Sequence, residues 1–315
     1  MKGGFAMRIN SILVVLVAAF CFTTAEVNAS PYNSVVVYGD SLSDNGNLYA
    51  ATGYPGAPYY DGRRSDGPVA VEYLAQLIGA PLIDFAWIGA TTGVGNYGDH
   101  GSVTGLGTYS LPGMTTVYDG TKGMLSPYLS DGLFVVWGGP NDILAPSPLD
   151  TNYGAIITRA VTNEVAIIND LIGMGTKTIL APGMPDLGLT PYFQSLGPVA
   201  AAGATWFSDT FNANLQANLP PGVLYFDTAG LMRSVVSNPV AYGFTNVTDA
   251  CFDGTAVCVD PSQYMFFDDF HPTTATHAIL GKNFAAATAV PEPSTLVLFF
   301  TGLASLALLQ QRKSH

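Results

Sequence analysis

Ser34-Val35-Val36-Val37-Tyr38 runs directly into Gly39-Asp40-Ser41-Leu42. A short apolar, β-branched run bounded by a turn residue reads as a buried strand. A glycine and a serine hydroxyl at its exit place a nucleophile at the rim of an α/β sheet, where such folds hold their sites. Far downstream stands Asp268-Asp269-Phe270-His271, a His with a carboxylate three residues earlier. That spacing lets the acid bind one ring nitrogen and fix its tautomer. Serine, base and orienting acid together suggest ester hydrolysis.

Between the two motifs, strands alternate with helices. Pro68 opens an amphipathic helix through Val69, Val71, Leu74, Leu77 and Ile78, closed by Gly79. Further strands are predicted over Leu82–Trp87, Leu133–Trp137, Lys177–Ala181 and Val223–Asp227, with helices over 152–174, 203–218 and from after His271 to about Ala287. The stretch from Gly89 to about Gly120 reads as one long Gly/Thr/Tyr loop. The alternation predicts a three-layer α/β/α sandwich on a parallel sheet of about five strands, flavodoxin-like in plan. Four strand exits then carry Ser41, Gly89, Asn141 and Pro185-Asp186-Leu187, the edge where ligands bind in open α/β sheets.

The chain has 315 residues and a net charge of −12. With no basic patch to neutralise phosphates, nucleic acid is excluded as a partner. Lys2 and Arg8, the apolar run Ile12 to Phe22 and the small-residue ending Val27-Asn28-Ala29 have the order of a secretory signal, so residues 1–29 are expected to be a leader cut after Ala29. The apolar run is short for a permanent anchor. Met1 and Met7 are both possible starts. Of the three cysteines, Cys21 falls in the leader, and the remaining pair, Cys251 and Cys258, reads as a short disulfide-closed loop just before the second motif.

At the other end, Val290-Pro291-Glu292-Pro293-Ser294 precedes an apolar run, Thr295 to Leu309, and then Arg312 and Lys313. As a helix the run would span about 24 Å, enough for a thin bilayer, with the basic pair kept on the cytoplasmic side. These residues resemble the PEP-CTERM sorting signal of Gram-negative bacteria. The resemblance implies recognition by an exosortase-type processing enzyme, removal of the tail, and association with extracellular polysaccharide. A simple tail anchor gives the same sidedness. Residues 30–288 are thus expected to be the folding unit and 289–315 the sorting signal, placing the protein in the envelope or outside the cell, held at first by the C-terminal helix.

Each candidate residue has an ordinary reading as well: Ser41 as a turn residue, Gly89 as a relief of crowding, Asn141 as a helix cap, His271 as a surface group. Their shared place at strand exits supports the functional one. Ser41 attacks an acyl carbonyl after His271 takes its proton, Asp268 holds the imidazole, and the N–H groups of Ser41 and Gly89 with the Asn141 amide receive the oxyanion. Asp269 is the rival acid. His277 is expected to be a structural or surface residue of the closing helix, and His100 a poor base in a loop. Asp40, Asp44 and Asn45 miss calcium-loop spacing, with Leu42 in a ligand position, and Asp40 is expected instead to accept N–H bonds that fix the serine turn. No metal or cofactor is expected.

The constellation resembles the GDSL lipase/esterase family, or SGNH hydrolases, across nearly the whole unit. The matching blocks are Tyr38 to Asn47, Asp84 to Thr91, Gly139-Pro140-Asn141-Asp142 and Asp268 to Thr273. Asp84, Ile88 and Pro140 depart from the commonest residues of those blocks. The resemblance implies the SGNH hydrolase fold and assigns Ser41, Asp268 and His271 as triad, with Ser41, Gly89 and Asn141 as oxyanion donors. Arg64-Ser65-Asp66-Gly67-Pro68 and the cysteine loop are similar to a bacterial branch with phospholipase- and haemolysin-like members, in which Phe and Asn more often stand at positions 64 and 66. The expected substrate is a carboxylic ester, a lipid or an acylated glycan, with the Gly/Tyr loops at 49–61 and 91–118 forming an acyl groove or a sugar platform. A polysaccharide acetylesterase and a non-catalytic matrix adhesion protein are the alternatives.

Overall fold

The computed structural model describes residues 30–289. The leader and the apolar tail lie outside them, and among the described residues no helix is long and apolar enough to cross a membrane. The strands are β1 (Ser34–Gly39), β2 (Leu82–Asp84), β3 (Gly132–Trp137), β4 (Thr178–Pro182) and β5 (Leu224–Phe226), with β6 (Asn246–Ala250) and β7 (Tyr264–Phe266) apart. The helices are α1 (Asn47–Thr52), α2 (Ala70–Ile78), α3 (Met114–Thr121), α4 (Pro140–Leu144), α5 (Tyr153–Gly173), α6 (Pro191–Ser195), α7 (Pro198–Asn218), α8 (Thr228–Ser237) and α9 (Thr274–Ala287).

β1 to β5 form one parallel sheet in the order β2-β1-β3-β4-β5, with Val36 of β1 opposite Ile83 of β2 on one side and Phe134 of β3 on the other. This is the doubly wound flavodoxin-like order. Alternate side chains of a strand point to opposite faces, and the two layers divide accordingly. Val35, Val37, Leu133, Val135 and Trp137 pack beneath Leu74 of α2 with Leu280 and Phe284 of α9. Val36, Tyr38, Phe134 and Val136 pack against Met114 and Tyr118 of α3 and Ile167, Ile168 and Leu171 of α5. Both faces of β1 and β3 are buried, so these strands read as unbroken apolar runs.

The boundaries depart from expectation where polar side chains intervene. β2 ends at Asp84, not Trp87, because the Asp84 carboxylate takes the N–H groups of Ala86 (2.8 Å) and Asn45 (3.0 Å) and turns the chain. Phe85 and Trp87 still donate to Val37 and Gly39 of β1. The supposed loop through Gly120 holds α3, and α7 begins at Pro198, not 203, since proline's fixed φ suits a first helical turn. The 49–61 stretch likewise begins inside α1. β6 and β7 lie in segments with no strong apolar period, whereas α8 buries Ala229, Met232 and Val235 at helical spacing.

α9 sits against α2 at close range. A Cβ on Gly281 would stand 2.5 Å from the Tyr73 Cβ and 2.6 Å from the Ala70 carbonyl, so only glycine allows the approach. His277 of α9 is fully buried there and its Nδ1 accepts the Ala70 N–H at 3.2 Å. Burial, and after it the nearby His271, push the His277 imidazole down to about 3, which keeps it neutral. It is a structural residue.

Candidate active site

Two turns bring the separated motifs together at the carboxyl edge of the sheet. Where β1 ends, the Asp40 carbonyl accepts the N–H groups of Ser43 (3.1 Å) and Asp44 (2.9 Å), and its carboxylate accepts that of Leu42 (3.0 Å). This closed turn presents Ser41. Where β7 ends, Asp268 Oδ1 accepts the N–H groups of Phe270 (2.9 Å) and His271 (2.7 Å), and the Phe267 N–H bonds the His271 carbonyl (2.7 Å). The result is a chain Ser41 Oγ to His271 Nε2 at 2.9 Å, and His271 Nδ1 to Asp268 Oδ1 and Oδ2 at 2.8 and 2.9 Å. Burial works to raise the Asp268 carboxyl, but the His271 charge and hydrogen bonds from His271 and Phe270 hold it below the usual carboxylate range. Asp269, the rival acid, gives its backbone carbonyl to Tyr192 N–H (3.0 Å). His100 is an exposed residue with φ of 63° in the loop beyond Gly89.

The bridge between Cys251 and Cys258 forms, and its loop braces this turn from behind. Cys251 and Phe252 donate to the carbonyls of Phe266 and Phe267, directly before Asp268. Ser65 Oγ donates to the Pro272 carbonyl (2.9 Å), and Asp66 accepts the Thr274 N–H (2.7 Å). The Arg64 to Pro68 block therefore supports the start of α9 as well as lining the site.

Gly89 and Asn141 lie beside Ser41, lining the same pocket. Gly89 has φ of +79°, and a Cβ there would meet Asn96 Oδ1 at 2.4 Å, so the position requires glycine. Among the described residues, the N–H groups of Ser41 and Gly89 meet no protein acceptor. Asn141 Nδ2 donates to the Ala90 carbonyl (3.0 Å) and, at a longer 3.3 Å, to Asp40 Oδ2. Two facing acceptors fix the amide orientation. The Asp40 bond is the weaker one and leaves the Asn141 amide the freer on that side.

Three buried acids stand behind these loops; Asp44 and Asp142 fall within the quoted blocks without a role there, and Glu164 falls in none. Asp44 accepts the N–H groups of Gly46, Asn47 and Leu48 at the start of α1, and also that of Ile88, tying the serine turn to the Gly89 loop. Asp142 accepts the Thr92 N–H (3.0 Å) and Oγ1 (2.8 Å), tying α4 to the same loop. These bonds consume the oxygens that a cation would need at Asp44. Burial pushes Asp40 up to about 6 and Asp142 up to about 7.

The third acid, Glu164 of α5, is fully buried, and neither carboxyl oxygen has a hydrogen-bond partner among the described residues. Burial, with Asp142 and Asp40 adding to it, raises its carboxyl well above the ordinary 4.5. The folded protein keeps a proton that the unfolded chain releases, so stability falls as pH rises above that ordinary value. Glu164→Met removes the penalty. It is expected to stabilise the fold by about 1–3 kcal/mol at pH 8 and by much less at pH 4. Thermal unfolding at both pH values checks this, and equal midpoints for variant and parent at pH 8 would contradict it.

Ser41 opens into a pocket of about 680 Å³. Its walls include Leu48, Ile88, Leu111, Ile143, Leu187 and Phe193, while Tyr97 and Tyr109 stand exposed at its edge. Pro185 and Leu187, from the fourth strand exit, line it too. A serine hydroxyl bonded to an imidazole, N–H donors that meet no acceptor among the described residues and an apolar cleft can together serve acyl transfer.

Fold and site together define an ester-bond hydrolase of the α/β class. The model for the GDSL-like Lipase/Acylhydrolase family matches residues 35–284, and the chain belongs to that family. The PEP-CTERM protein-sorting motif matches residues 289–313. A phosphatidylcholine-sterol acyltransferase of Aeromonas hydrophila is 28% identical over 252 residues, covering 78% of this chain and 73% of that protein. Acetylajmalan esterase 2 of Rauvolfia serpentina is 26% identical, covering 87% of this chain and 95% of its own. A thermolabile hemolysin of Vibrio parahaemolyticus is also 26% identical, with coverage of 82% and 64%. Among solved structures, a lipolytic G-D-S-L family protein from Veillonella parvula aligns at TM-score 0.41 and 13% identity, over 81% of this chain and 97% of that one.

Proposed function

We propose that this protein is an exported serine esterase that cuts carboxylic esters through an acyl-enzyme on Ser41. The observation that carries the reading is the unbroken chain of contacts from Ser41 Oγ through His271 to Asp268. In the first half, Ser41 Oγ bonds the acyl carbon and its proton passes to His271 Nε2. Asp268 supports the imidazolium, and the N–H groups of Ser41 and Gly89 with the Asn141 amide receive the negative oxygen. Collapse breaks the ester C–O bond, and the alcohol leaves with the proton from Nε2. Water then repeats the sequence on the acyl-enzyme, giving the carboxylic acid and free Ser41.

For the substrate, the walls favour an apolar acyl chain over an acetyl group on a sugar. Each methylene taken from water into such a cleft stabilises by about 0.8 kcal/mol, nearly fourfold in kcat/KM if held in the transition state. The kinship with an acyltransferase and a hemolysin points the same way. The exposed Tyr97 and Tyr109 support the second reading, a glycan acetylesterase, since sugars stack on such rings. A p-nitrophenyl ester series from acetyl to palmitoyl, set beside acetylated glycans, separates them. Rising kcat/KM from acetyl through medium chains is expected, whereas a maximum at acetyl with faster release from glycans would establish the alternative.

The sorting motif supports export to the cell envelope. In the same reading, residues 1–29 are the cleaved leader, and 295–309 hold the chain in the membrane until an exosortase-type enzyme acts.

A further inference from the structure

We propose that Tyr59 and Arg64 are positioning residues for the catalytic acid, forming an outer extension of the triad that holds Asp268 in register with His271. The inference rests on the triad assigned above and adds two residues to it. Tyr59 Oη donates to Asp268 Oδ2 at 2.8 Å, across 209 residues of sequence. Arg64 Nη1 donates to the same Tyr59 Oη at 2.9 Å. A guanidinium has donors only, so the phenol oxygen must accept from it, and the phenol's own proton is left for Asp268. Arg64 Nη1 is itself 3.9 Å from Oδ2, too far for a good hydrogen bond, and acts through the phenol.

The pair is held rigidly. The Arg64 guanidinium carbon lies 4.9 Å from the ring centres of both Tyr54 and Tyr59, and Nη2 bonds the Tyr54 hydroxyl. The Tyr59 ring meets Phe252 edge-on at 5.8 Å and Phe267 at 5.4 Å. Phe252 belongs to the disulfide-closed loop and Phe267 immediately precedes Asp268, so one cluster fixes both ends of the Tyr59–Asp268 bond. The need for such a tether is plain from the acid's other contacts. Both backbone N–H bonds fall on Oδ1, whereas among the described residues the hydrogen-bond partners of Oδ2 are the His271 ring and Tyr59. A carboxylate's terminal torsion is soft, and without Tyr59 one oxygen loses a fixed partner. Burial and the neighbouring Asp268 charge raise the Tyr59 hydroxyl, so it stays a donor at any working pH.

Tyr59→Phe keeps the ring packing and removes only the donor, and Arg64→Met removes the cation. With p-nitrophenyl acetate, Tyr59→Phe is expected to lower kcat roughly tenfold, about 1.4 kcal/mol, while KM stays within about twofold. Arg64→Met should lower kcat less, and Arg64→Lys, which keeps a donor for the phenol, should recover part of that loss. The far-downfield proton signal of the His271–Asp268 bond should move in Tyr59→Phe. Unchanged kcat in Tyr59→Phe, or a loss confined to KM, would overturn the proposal, the latter by making Tyr59 a substrate contact. If Tyr59→Phe fails to fold, the Arg64 pair gives the same reading. Wild-type protein that takes up no serine-directed fluorophosphonate on Ser41 would sink the triad itself. Labelled wild type with an unaltered Tyr59→Phe would sink only this extension.

Discussion

Ser41→Ala is expected to cut kcat for short p-nitrophenyl esters by roughly 10⁴–10⁶ while leaving the fold intact. The size follows from the hydroxyl's place at the head of the proton-transfer chain. Without it there is no acyl-enzyme, and His271 has no proton to move, so nucleophile and base fail as a unit. The small structural cost follows from the same geometry. Among the described residues the Ser41 hydroxyl bonds only His271, at 2.9 Å, and the turn that carries it is held by Asp40 and by backbone groups of Ser43 and Asp44. One lost hydrogen bond costs about 0.5–1.5 kcal/mol, a few degrees of unfolding midpoint at most. An alanine variant that stays folded and keeps a tenth of the parent's kcat would contradict the assignment.

The second large effect is expected at Asp268. Asp268→Asn should lower kcat by about 10⁴ and cost about 1–3 kcal/mol of stability, because the Tyr59 hydroxyl loses its acceptor. The asparagine carbonyl can still accept the N–H groups of Phe270 and His271 that now fall on Oδ1, so the turn keeps its shape. The amide NH₂ then replaces Oδ2 and faces both His271 Nδ1 and the Tyr59 hydroxyl. Nδ1 keeps the carbonyl oxygen at 2.8 Å, but the amide hydrogens beside it favour the tautomer in which Nδ1 accepts, with the ring proton on Nε2 and pointed at Ser41 Oγ. The base then presents a proton where it needs a lone pair. His271→Ala, measured beside it, is expected to fall to the level of Ser41→Ala. Full activity in Asp268→Asn would transfer the orienting role elsewhere, and Asp269 would be the next residue to test.

The part of this architecture legible in the sequence is the part with local causes. β1, β3 and β4 are buried on both faces and so appear as apolar runs, and each is followed by the turn chemistry that exposes a site residue. Asp268 and His271 lie within one turn, so spacing alone pairs them. α3 was hidden because Met114-Thr115-Thr116-Val117-Tyr118-Asp119-Gly120-Thr121 is rich in β-branched residues and ends in a Gly-Thr pair. β6 and β7 are short and partly polar, and their pairing joins segments on either side of the Cys251–Cys258 loop, which no local pattern reports. Tyr59, Asp142 and Glu164 act through partners far away in sequence or, for Glu164, through burial alone, and no spacing rule reports such contacts. Arg64 is visible as a departure in a recognisable block and Asp142 within another, but neither spacing announces the bond from Arg64 to Tyr59 or from Thr92 to Asp142.

The most direct measurement of the central claim is intact-mass and peptide-level mass spectrometry of the folded protein after treatment with a serine-directed fluorophosphonate. The account predicts a single adduct, on Ser41, that forms in step with loss of esterase activity and is absent in Ser41→Ala. Activity that survives complete labelling, an adduct confined to another residue, or no adduct on active protein would contradict it.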